Sequence, residues 1–66
     1  MDVYDRNLMD ALEIARTSAN TQMEKLCNNR QYIDGCIYQS IRDNIDVDIQ
    51  LLKSYLYCKG DENIKE

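Results

Sequence analysis

Sixty-six residues carrying eight basic and twelve acidic side chains, for a formal charge of -4, make one small domain. Such a chain buries only about 60% of the surface that its unfolded form exposes, so it relies on disulfides, a metal, oligomerisation or closely packed helices. Histidine is absent, which removes the commonest general acid or base and the commonest metal ligand, and the acidic balance disfavours nonspecific binding to nucleic acid or anionic membranes.

The opening "MDVYDRNLMDAL" places acidic residues where a signal peptide carries basic ones and lacks a continuous apolar run. No stretch approaches the roughly 18 apolar residues of a transmembrane helix. The expectation is a chain that stays in the cytoplasm. Proline is also absent and glycine occurs only twice, so little in the sequence forbids helix.

A first helix is expected over about residues 3–28. Leu8, Leu12, Ala15, Ala19, Met23 and Leu26 recur at intervals of three and four, the pattern of one apolar helix face. Asp10, Glu13, Thr17, Thr21 and Glu24 lie opposite, and Asp2 or Asp5 is the expected N-cap. Ala11, Ala15 and Ala19 put one small residue in each turn of the core-facing stripe, which admits a partner helix at close range.

A turn is expected at about residues 28–31, where Asn28 and Asn29 tolerate the left-handed conformation that ends helices. Asp34-Gly35 is the rival turn dipeptide.

The second half begins ambiguously, since "IDVDIQL" alternates as a strand does. Over a longer window Ile33, Ile37, Ile41, Ile45, Ile49, Leu52 and Leu56 recur at intervals of four and three, and a lone strand would have no pairing partner. A helix over about residues 31–58 follows, with residues 60–66 as a flexible tail and Ile64 as its only anchor. The fold class is therefore all-α, an antiparallel two-helix hairpin over residues 1–59.

Apolar residues on the second helix, including Tyr38 and Cys58, cover roughly 200° of its circumference, about twice the stripe of a simple surface helix. The first helix covers only part of that arc. The remainder is expected to bury itself against another molecule, most economically a second copy in a four-helix bundle. Candidate contacts are Ile37, Val47, Asp48, Leu51, Tyr55 and Tyr57. Asp48 and Asn44 divide the arc; Asp48 reaches water at a rim or pairs with a basic group on a partner. Asp43 and Asp46 read as solvated surface.

Chemistry-bearing patterns are missing. The serines and threonines have no histidine to activate them, the two glycines form no phosphate loop, and a two-helix hairpin is expected to offer no concave pocket. Cys27, Cys36 and Cys58 are spaced 9 and 22 apart, which suits neither a CxxC site nor a closed disulfide framework; they read as reduced, packed thiols. No cofactor, metal or small-molecule substrate is expected.

Two resemblances bear on function. "ALEIAR" at Ala11 to Arg16, "MEKL" at Met23 to Leu26, "QSIRDNID" at Gln39 to Asp46, and "LLKSYL" followed by "GDEN" at Gly60 to Asn63 resemble the Rop (Rom) plasmid copy-number regulators. That resemblance implies a dimeric bundle binding paired RNA loops through the outer polar face of its first helix. Glu13, Thr17 and Thr21 stand there in this chain, with no aromatic residue to stack on a base. Arg6, Arg16 and Lys25 are the candidate RNA contacts. Gln31-Tyr32 at the start of the second helix, before an Ile/Leu-rich end, is similar to the small cochaperones of type III secretion needle subunits, which implies an apolar face covered by another protein.

The expected function is that of a non-enzymatic interaction protein binding itself and a protein partner as adaptor, chaperone or inhibitor. The alternatives are a Rop-like RNA-binding regulator and, third, an acidic mimic of nucleic acid.

Overall fold

The computed structural model describes the backbone of residues 2–64 and the side chains of residues 2–58. Two helices, α1 (Val3–Asn28) and α2 (Tyr32–Ile64), form an antiparallel hairpin. Its extents are 51 × 16 × 13 Å. The accessible surface is 5148 Å², whereas a compact monomer of this mass exposes about 4,400 Å². Among the described residues no helix is long and apolar enough to cross a membrane.

Helix α1 starts where Asp2, in extended conformation, accepts a hydrogen bond from the backbone N–H of Asp5 at 2.8 Å. This occupies one of the donors that a helix start leaves without a partner. At the other end the N–H of Gln31 reaches the carbonyl of Leu26 at 2.8 Å and that of Arg30 reaches Cys27 at 3.0 Å. The pair of bonds is a Schellman closure.

The closure places the left-handed residue differently from the expectation. Arg30, with φ 64°, adopts it, while Asn29 stays at φ -89° as the C-cap. Position decides over preference here, because the residue after the C-cap must turn left-handed whatever its side chain. Arg30→Gly is expected to raise stability by about 0.5–1 kcal/mol, since glycine meets no Cβ penalty in that region; a thermal melt followed by circular dichroism measures it.

Asp34-Gly35 is not the turn. Gly35 lies in the first turn of α2 and is buried, and a Cβ built on it would sit 2.7 Å from Cys27 Sγ. The glycine therefore serves close approach of the two helices beside the turn. Gly35→Ala is expected to cost about 1 kcal/mol net, because overpacking outweighs the gain in helix propensity. In a Cys27→Ala background the same substitution should become stabilising by about 1 kcal/mol; thermal melts of the four proteins test the change of sign.

Beyond Cys58 the helix continues through Gly60 to Ile64, where the sequence suggested a tail. No proline stops it, and a single glycine costs only about 1 kcal/mol in a helix. Lys65 and Glu66, and the side chain of Ile64 expected as an anchor, lie outside the described residues.

The seam between the helices follows heptad spacing. Gly35, Tyr38, Arg42, Ile45, Ile49, Leu52 and Leu56 of α2 are buried or half-buried positions facing α1, at alternating steps of three and four, with the half-buried Asp46 beside them. On α1 the matching set is Asp5, Met9, Leu12, Ala19, Met23 and Leu26, with Arg16 completing the spacing. Among the described residues Ala19 and Ile49 are the buried apolar side chains, beside the buried Gly35, so the hairpin alone has a very small core.

The isoleucine series lines that seam only from Ile45 onward. Four residues turn a helix through about 400°, so each step along the series rotates it by about 40°. Accordingly Ile33 is 81% exposed, Ile37 55%, Ile41 43% and Ile49 only 5%. The series winds from the outside of α2 into the core. Leu8 and Ala15 of α1, expected in the core, are likewise exposed, as is Ala11, and Met9 takes the place inward of Leu8.

Candidate interaction surface

Two sides flank the seam, and their chemistry differs. One carries an open apolar groove lined by Leu8 and Leu12 of α1 and by Asp48, Leu51, Leu52 and Tyr55 of α2. Towards the turn it is continued by Gln22, Leu26, Ile37, Tyr38 and Ile41. On α2 the residues Ile37, Ile41, Asn44, Asp48, Leu51 and Tyr55 again step by four and three, a second heptad seam turned roughly 100° from the first. The hairpin thus has a concave face that the sequence reading did not anticipate.

The opposite side is polar. Its cleft is lined by Glu13, Arg16, Thr17, Asp46, Gln50 and Lys53, with Ile49 at its floor. Arg16 is ion-paired with Asp46 across the two helices. Arg42 occupies a seam position because its charged end escapes to this side, donating from Nη1 to Asn20 Oδ1 at 2.6 Å and from Nη2 to Asp43 Oδ1 at 2.9 Å. Asn20 in turn donates to Glu24 at 3.3 Å. Asp43 and Asp46, read as plain solvated surface, are thus both engaged by arginines. The Arg16–Asp46 pair is more than two-fifths exposed on both sides and contributes no more than about 1 kcal/mol; its consequence is register.

The six candidate partner contacts are all exposed, but they do not share one face. Ile37, Asp48, Leu51 and Tyr55 border the groove. Val47 points away from α1, and Tyr57 falls on the polar side, as their positions at about 100° per residue dictate. Among the groove residues, Leu8 and Ile41 were expected in the core and Gln22 was not singled out from sequence. For Ile41 the signal was the step of four and three beginning at Ile37, hidden beneath the competing run of isoleucines four apart.

The candidate RNA contacts are not brought together. Arg16 is held by Asp46, and Arg6 and Lys25 are separated by about 28 Å along α1 at 1.5 Å per residue on different faces. Cysteine placement also departs from expectation. Cys27 packs beside Met23 and Gly35, whereas Cys36 and Cys58 are exposed free thiols, because their positions fall outside the seam. Among the described residues no cluster of three or more cysteine, aspartate or glutamate side chains is arranged to hold a metal ion.

No family model, no curated protein and no solved structure matches this chain.

Proposed function

We propose that this protein is a non-enzymatic interaction module, a helical hairpin that works by burying its apolar groove against itself and a protein partner, as adaptor, chaperone or inhibitor. The observation that carries this reading is the disproportion between the two apolar seams. The seam between α1 and α2 buries two apolar side chains, Ala19 and Ile49, among the described residues, while Leu8, Ile37, Ile41, Leu51 and Tyr55 are each more than two-fifths exposed beside the groove. Fully burying a side chain of this kind stabilises by roughly 1.5–3 kcal/mol. A chain this small gains more from covering that groove than from any adjustment of its own core.

Association tests the reading directly. Light scattering in reductant across a dilution series, repeated with structured RNA, is expected to give a mass above 7.8 kDa that is insensitive to RNA. A monomer that binds structured RNA with a steep salt dependence would favour a Rop-like regulator instead. The interleaved Arg16–Asp46 and Arg42–Asp43 pairs weigh against that outcome, because they engage arginines that phosphates would need.

A further inference from the structure

The groove divides into two apolar stretches, each with one carboxylate on its wall. Away from the turn Leu8, Leu12, Leu51 and Tyr55 flank Asp48, and towards the turn Leu26, Ile37 and Ile41 flank Asp34. Steps of three and four bring apolar residues together on any helix stripe, but they do not dictate a carboxylate in each stretch. Asp34 stands in the first turn of α2, where a negative charge favours the helix start. Asp48 is mid-helix and has no such part to play.

Neither carboxylate has an ion-pair or hydrogen-bond partner among the described residues. No basic side chain lines either stretch. Arg16 and Lys53 line the polar cleft instead, and Arg42 turns its charged end to that same side. The formal charges lining the groove are therefore all negative.

We infer, resting on the interaction-module reading, that the groove receives an amphipathic helix of another protein, one carrying two arginine or lysine side chains two heptads apart on its apolar face. Asp34 and Asp48 are fourteen residues apart, which is about 21 Å along α2 and within about 40° of four full turns. A helix lying along the groove with basic residues at that same separation brings one cation to each carboxylate. The apolar residues between its cations cover Ile41 and Leu51. Each carboxylate then loses water against a cation rather than alone, and an arginine can engage it through two parallel bonds. A second copy seated by the same face brings two more carboxylates and no cation. The chain's own association is thus the weaker of the two and gives way to the helix.

Fluorescence anisotropy with synthetic helices tests this partner chemistry. The probe is a labelled peptide of about 20 residues, some 30 Å as a helix, with leucine at heptad spacing and two arginines at the separation of Asp34 and Asp48. It is expected to bind about tenfold or more tighter than the same peptide with glutamine at both positions. Moving the second arginine by two residues turns it about 200° away from that face and should lose the same advantage. Asp34→Asn with Asp48→Asn in the protein should erase it. Asp10→Asn with Glu13→Gln, which removes equal charge from side chains outside the groove, should leave it intact. In light scattering the arginine peptide should convert the self-associated chain into a complex of one hairpin with one peptide.

Equal affinity of the arginine and glutamine peptides, or an advantage that survives Asp34→Asn with Asp48→Asn, would overturn the cationic helix as occupant while leaving the groove an interaction surface. Self-association that no peptide displaces would overturn it in favour of a second copy. A chain that neither self-associates nor binds any of the peptides would remove the interaction-module reading itself.

Discussion

Replacing Ile49 by aspartate is expected to abolish the hairpin, with the far-UV helical signal collapsing to that of an unfolded chain. Ile49 is the most buried large side chain, 5% exposed, and it sits mid-seam between Ile45 and Leu52. The substitution removes its apolar burial and desolvates a carboxylate in the seam, beside a cleft whose Arg16 is already taken by Asp46 and whose Lys53 lies on the same helix, a combined loss of about 3–5 kcal/mol. That equals the whole contribution expected of a single core in a chain this small. Retention of a cooperative melt within a few degrees of the parent would show that the heptad seam through Ile49 is not the core.

Leu51→Asp, two positions further on, should behave in the opposite way. Leu51 is 69% exposed and borders the groove, so within one hairpin the change is a surface substitution worth less than about 0.5 kcal/mol. In an associated form the same residue is covered, and an aspartate there opposes association. The mass is expected to fall to 7.8 kDa with helix content retained. Val47→Asp is the matched control, equally exposed but directed away from α1, and should change neither mass nor helicity. If Leu51→Asp dissolved helix and assembly together, folding and association would be one event and the two faces would not be separable.

These two substitutions differ by half a helical turn of phase, and phase is where the sequence reading and the structure part company. Helicity was legible as far as residue 58, once the strand-like alternation of "IDVDIQL" was set in its longer window. Without proline, and with periodic apolar residues on both arms, no other regular structure accommodates the chain. The cap at Asp2 and the solvated row Asp10, Glu13, Thr17, Thr21 and Glu24 follow from local chemistry, and all five of those side chains are exposed. So does the break after Asn28, because helix ends draw on residues adjacent in sequence.

The tertiary structure alone decided which stripe of each helix faces the other. Steps of four residues drift by about 40° around a helix, so Ile33 to Ile49 reads as one face on paper and winds through nearly half the circumference in space. Only contact with α1 selects Gly35, Tyr38, Arg42 and Ile45 as the inward set, because that choice admits Cys27 against Gly35 and lets Arg42 reach Asn20 and Asp43. Composition and periodicity thus determined two helices with surplus apolar surface. Their packing placed part of that surplus, Leu8, Ile37, Ile41, Leu51 and Tyr55, beside one groove and left Val47 and Tyr57 elsewhere, because helix phase is set by what packs across the seam and by nothing local.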